Sequence, residues 1–202
     1  MSKFEFPESI NSRPVWGTLE PRPGKSHLMI ADAEGAEALL ELAKADDRLM
    51  SKSTILYFPK GTGETYLEDL ENLGAAQLYV GPSYSAAVAR LRRILQDAHM
   101  GLQIYLSGTE SLMGQAMREA ADAGIPHSAI QTEHRGSVAR RMQCVHCKGI
   151  TDDVMTDPFV CSHCGLNLFV RDHYSRRIAA YQGVCVDAEN PGNVPEPVEL
   201  YS

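Results

Sequence analysis

The chain has no run of some 18 apolar residues, which argues against a helical membrane span. Its first residues, MSKFEFPESINSRP, lack the basic and apolar layout of a secretory leader, so a cytoplasmic location is expected. Internal repeats and low-complexity tracts are also missing. Of five cysteines only Cys185 stands outside the stretch 144–164. A reducing compartment and this clustering together disfavour a disulfide framework and favour metal or redox chemistry. Strong positive charge is lacking too. The net charge is −7, and a local excess of three positive charges between Arg135 and Ala180 leaves −10 on the remainder. Nucleic-acid binders carry a far larger basic footprint, so nucleic acid is not expected as a partner.

What is present is a core. At 202 residues with 44% hydrophobic content, the chain suffices for one ordinary domain and a small appendage. Residues 1–25 hold Pro7, Pro14, Pro21 and Pro23 around Trp16 and read as an extended arm. From Ser26 strands and helices alternate. Strands are expected at 27–31, 53–58, 76–81, 102–108 and 129–133, and helices at 34–45, 65–73, 85–98 and 111–124. Five strands joined through helices specify an α/β domain over 26–136, a doubly wound parallel sheet covered on both faces. A small ribbon over 137–171 follows, and 172–202 closes the chain.

The ribbon carries the sharpest signal. Cys144-Val-His-Cys147 and Cys161-Ser-His-Cys164 are two C-x-x-C pairs separated by thirteen residues. Four thiolates brought to the corners of a tetrahedron make a closed metal site with no position left for substrate. Zinc, one ion per chain, is the expected occupant. Iron in a rubredoxin-like centre is the alternative, since it takes the same four ligands. His146 and His163 lie inside the knuckles and are expected beside the site rather than in it. Cys185 reads as a small, buried apolar side chain.

After the ribbon, 172–181 reads as a short helix with Asp172 as N-cap. The run Asp172-His173-Tyr174-Ser175 invites a catalytic relay, but sequence neighbours point apart on a helix. Tyr174, Arg176, Arg177 and Tyr181 are instead expected to form an interface strip, being residue types that anchor partner surfaces. No catalytic and no cofactor-binding residue is assigned.

Two resemblances extend this reading. Residues 104–136, IYLSGTESLMGQAMREAADAGIPHSAIQTEHRG, resemble the nucleotide domain of the ferredoxin-reductase family, in its phthalate dioxygenase reductase branch. That family has a glycine-rich phosphate loop. Here the corresponding residues are Ala31-Asp32-Ala33-Glu34-Gly35-Ala36-Glu37, whose acids would repel a pyrophosphate. Loss of the nucleotide is therefore expected. An NAD(P)H-binding component remains the alternative, with Gly108, Thr109 and Glu133 as first candidates for the nicotinamide end. The second resemblance is carried by the cysteine pairs followed by Val170-Arg171-Asp172-His173-Tyr174-Ser175-Arg176-Arg177 and by 180–189. These are similar to the small subunit of bacterial dimethylamine monooxygenases. The resemblance implies a multisubunit enzyme converting dimethylamine to methylamine and formaldehyde with NAD(P)H and O₂. It implies as partners a haem or iron catalytic subunit and a flavin and iron–sulfur reductase subunit.

Overall fold

A computed structural model describes residues 12–61 and 66–201. The described residues form two compact units, one of residues 16–137 and one of residues 138–201 together with 12–15.

In the first unit, strands β1 (Ser26–Asp32), β2 (Ser53–Phe58), β3 (Gln77–Val80), β4 (Leu102–Gly108) and β5 (Ile130–His134) alternate with four helices. These are α1 (Gly35–Ala45), α2 (Leu67–Glu71), α3 (Tyr84–Gln96) and α4 (Glu110–Asp122). The sheet is parallel throughout, in the order β3-β2-β1-β4-β5. Alternate residues of each strand serve opposite faces because successive side chains point to opposite sides of a sheet. Leu28, Ile30, Leu56, Phe58, Ile104 and Leu106 pack under α3 and α4. Met29, Ala31, Ile55, Tyr57 and Tyr105 pack under α1 and α2. Both faces are therefore buried, as the near-continuous apolar strands require. Ser83 and Thr109 cap α3 and α4 through their hydroxyls. The expected doubly wound five-stranded sheet is the observed one.

The proline-rich arm belongs to this unit from Trp16 onward, and residues 1–11 lie outside those described. Gly17 pairs with Glu133 as a parallel bridge, and its N–H donates to the Thr132 carbonyl at 3.0 Å. The Leu19 N–H donates to Glu133 Oε2 at 2.7 Å, and the Glu20 N–H to Gln131 Oε1 at 2.9 Å. The arm thus covers the edge strand β5, whose backbone groups would otherwise be open to pairing.

The second unit departs from expectation. Strands β6 (Arg140–Cys144), β7 (Ile150–Val154), β9 (Phe159–Val160), β10 (Asn167–Ser175) and β11 (Ala180–Cys185) form one sheet, in the order β7-β6-β11-β10-β9. A second, two-stranded sheet joins β8 (Thr156–Asp157) to β12 (Val198–Glu199). The helix expected over 172–181 is instead the end of β10, a turn and the start of β11. The expected boundary at 171/172 falls inside β10. The misreading has a physical cause. Between the pairs Arg171–Gln182 and Tyr174–Tyr181, β10 carries two residues more than β11, and this bulge hides the period-two pattern. Ser12 supports the bulge: its N–H donates to the Asp172 carbonyl at 3.2 Å, and its hydroxyl accepts the Tyr174 N–H at 2.7 Å.

Candidate metal centre

Each C-x-x-C pair forms the turn of a hairpin. Cys144 ends β6, and the chain returns as β7. Cys161 follows β9, and the chain returns as β10. The two turns are built alike. In the first, the Lys148 N–H donates to the Cys144 carbonyl at 3.0 Å and the Cys144 N–H to the Gly149 carbonyl at 3.0 Å. In the second, the Gly165 N–H donates to the Cys161 carbonyl at 3.0 Å and the Cys161 N–H to the Leu166 carbonyl at 2.9 Å. The residue after each second cysteine is left-handed, Lys148 at φ 63° and Gly165 at φ 74°. Glycine takes that conformation without steric cost and lysine does not.

These turns bring Cys144, Cys147, Cys161 and Cys164 together, with their four sulfurs within 4.8 Å of one another. The nearest approaches cross between knuckles, 3.8 Å for Cys144–Cys164 and 3.7 Å for Cys147–Cys161. Those separations are far too long for disulfides. They match the edge of a sulfur tetrahedron around a metal with bonds of about 2.3 Å, which is about 3.8 Å. The donor set fits a four-thiolate metal ion.

Electrostatics favour the same conclusion. Burial opposes ionisation of Cys161, but backbone N–H groups of Cys164 and His163 and the neighbouring thiols outweigh it and hold its pKa down at about 6. At Cys164 the Leu166 N–H favours the thiolate, yet desolvation and the three surrounding sulfurs push it up to about 12. Four sulfurs this close resist ionising together, and a cation bound among them would relieve that repulsion. The Gly149 N–H points at Cys147 Sγ at 3.4 Å.

The histidines stand aside from the cage. His163 bonds through Nε2 to the Ile150 carbonyl at 2.8 Å, and its ring lies where a side chain on Gly149 would sit, 2.5 Å from that Cβ position. His146 is exposed. Cys185 is half-buried against the ribbon core and donates its S–H to Asp187 Oδ1 at 3.2 Å, a contact that with burial raises its pKa.

The expected interface strip is divided by the structure. Tyr174 and Tyr181 are 9% and 1% exposed and pack edge to face at 4.9 Å within the ribbon's own core. Their expected burial against a partner is thereby corrected: cross-strand pairing turns both rings inward. Arg176 and Arg177 are exposed in the β10–β11 turn. Asp172 turns away from His173 to hold Arg140 at 2.7 Å, and the Arg140 guanidinium lies between the rings of Tyr181 (4.4 Å) and Tyr201 (4.2 Å). The sequence reading missed this buried arginine. Its signal was an Arg-Arg pair one turn ahead of the first cysteine, with nothing to show which arginine turns inward.

In the α/β unit the acidic loop meets its own chain. Asp32 accepts the Thr109 N–H at 2.8 Å and the Thr109 hydroxyl at 2.6 Å, and Lys60 Nζ lies 3.1 Å away. Glu133 is held by Leu19 and by Arg135, which also reaches Glu41 at 2.7 Å.

The sequence profile of the "dimethylamine monooxygenase subunit DmmA-like, N-terminal domain" family matches residues 8–130, and that of the corresponding C-terminal domain matches residues 141–184. The chain belongs to the DmmA-like family. A curated protein of similar sequence, the "heme-dependent oxidative N-demethylase delta subunit" of Ectopseudomonas mendocina (strain ymp), is 33% identical over 116 residues. That match takes in 57% of this chain and 66% of the relative's length. Among solved structures, phthalate dioxygenase reductase aligns with a TM-score of 0.47 at 13% identity, over 71% of this chain and 47% of its own. The ferredoxin reductase of carbazole 1,9a-dioxygenase aligns with a TM-score of 0.43 at 19% identity, over 56% and 36%. Among the described residues of this family member no helix is long and apolar enough to cross a membrane.

Proposed function

We propose that this chain is a zinc-binding, non-catalytic subunit of a monooxygenase complex that uses NAD(P)H and O₂ to demethylate dimethylamine. Its task is assembly, or positioning of the electron path. The observation that carries the reading is the closed four-cysteine cage in a chain of the DmmA-like family. A filled tetrahedron leaves no site for substrate, which suits a structural ion, and zinc is the metal that most often serves in that setting. The related delta subunit is named for a heme-dependent oxidative N-demethylase. The partners proposed here are accordingly a haem-bearing catalytic subunit and a flavin and iron–sulfur reductase subunit. The exposed pair Arg176 and Arg177 remains the proposed contact, presented on a turn braced by the ribbon core. An iron-loaded electron carrier is the second reading, because the same cage suits iron.

Copurification with the native partner subunits, followed by metal analysis and a visible spectrum of this chain once separated from them, tests both readings. The expected result is about one zinc per chain and no visible absorption from this subunit. Arg177→Ala should reduce recovery of the complex without moving the thermal midpoint of the isolated chain, as loss of a desolvated interface arginine would. Iron in place of zinc, with absorption bleached by dithionite, overturns the structural role in favour of electron transfer.

A further inference from the structure

Open α/β sheets bind anionic ligands where the strand order reverses, with a phosphate resting at a helix N-terminus. In this unit the reversal lies between β1 and β4, at their C-terminal ends. Asp32 is the last residue of β1, and Thr109 caps the thirteen-residue helix α4 that follows β4. The Asp32 carboxylate is 2% exposed. It is gripped from both neighbouring strands: by the Thr109 N–H and hydroxyl beyond β4, and by Lys60 beyond β2. Gly108, at φ 120°, makes the room, since a Cβ there would lie 1.9 Å from Asp32 Oδ1. A buried acceptor met by a helix-start N–H, a hydroxyl and an ammonium is the environment that a phosphate oxygen receives in a binding fold of this topology.

We propose that Asp32 is a built-in anion, seated where the fold would otherwise take a phosphate, and that it closes this crevice to nucleotides. Glu34 strengthens the closure. It sits at the start of α1, with its carboxylate 2.5 Å from the position a Cβ on Gly136 would occupy, adding a second negative charge along the approach. The unit keeps its nucleotide-binding architecture because the seat is filled from within. The inference depends on neither the metal nor the partner complex.

The test uses the full chain, with inorganic pyrophosphate and NADPH as probes. Wild type and Asp32→Asn, in which the seat stays filled, should bind neither. Asp32→Gly empties the seat while leaving Thr109 and Lys60 in place, and should bind pyrophosphate at least about tenfold more tightly than wild type. Adding Lys60→Met should remove that gain. Should Asp32→Gly be too unstable for titration, thermal rescue is the readout: pyrophosphate should raise its midpoint, and chloride at equal ionic strength should not. Pyrophosphate that neither binds nor rescues Asp32→Gly overturns the proposal, as does wild type binding either probe as tightly as that variant.

Discussion

The two units solve the same stability problem by different means. The α/β unit buries apolar side chains on both faces of its sheet, with nearly thirty buried residues in two clusters. The ribbon unit buries only eight in its cluster, two of them Cys144 and Cys161 of the four-sulfur cluster. The first can be held by hydrophobic burial alone. The second is small for that and adds the Arg140 stack and the bonds of Ser12, and its four-sulfur cluster could hold a cross-linking metal. A large core tolerates local loss, while a cross-linked one is only as stable as its fastenings.

Breaking the cage should give the largest effect. Removal of the metal with a strong chelator, or Cys161→Ser, should unfold residues 138–201 and leave 16–137 folded, because metal-binding energy is folding energy in such a unit. Hydrogen exchange checks this: protection should vanish in β10 and β11 and persist in β1, β2 and β4. Loss of protection in both units together would show that they do not fold separately.

Arg140→Ala comes next. It removes two ring contacts and a charge-assisted bond from an arginine that is 4% exposed, and leaves Asp172 without that partner. The expected cost is about 2–4 kcal/mol on ribbon unfolding, with nothing lost from the α/β unit. Denaturant unfolding followed in each unit separately would measure it.

The α/β unit has its own acid weakness. His27 is 3% exposed and its Nδ1 has no hydrogen-bond partner among the described residues. Burial, with the nearby Lys52 charge, lowers its pKa below the ordinary 6.5, although Asp46 pulls the other way. The unfolded chain therefore takes up this proton at a higher pH than the folded one. Stability from the neutral imidazole is complete above pH 6.5 and is lost as pH falls through the lowered value, by at most about 1.4 kcal/mol per pH unit. His27→Leu should flatten that part of the pH profile of the α/β unit and leave the ribbon's unchanged.

The smallest effect compares the two knuckles. Lys148→Gly should stabilise the ribbon by about 1 kcal/mol, by relieving a left-handed lysine. Gly165→Ala should cost a similar amount from backbone strain alone, because nothing lies within 4 Å of the added Cβ. Thermal midpoints of the metal-loaded chain would show opposite shifts at equivalent positions.

The legibility of the sequence follows the same division. Strands 53–58 and 102–108 begin and end where the residues indicated, since both are short segments rich in β-branched, aromatic and other apolar residues between helical periods. The four cysteines were legible because chemistry imposes their spacing. The β10–β11 hairpin was not. Aromatic, acidic and basic residues mix there around a two-residue bulge, and only the cross-strand pairing, resumed at Tyr174 with Tyr181, shows the second half as strand. Two of the four expected partner residues were misread for the same reason: Tyr is an anchor type in an interface and in a core alike, and Tyr174 and Tyr181 proved to be core.

By itself, the sequence determined the alternation of strands and helices, the burial of both sheet faces and which four cysteines come together. Each of these depends on residues near one another in the chain, or on a spacing that local turns enforce. Tertiary structure alone decided that Asp32 meets Thr109 across 77 positions, that Arg140 lies between Tyr181 and Tyr201, and that Ser12 braces a bulge 160 residues away. Such contacts arise when distant segments share one buried volume, where an unpaired charge or N–H would be costly, and no local pattern records which partner will satisfy it.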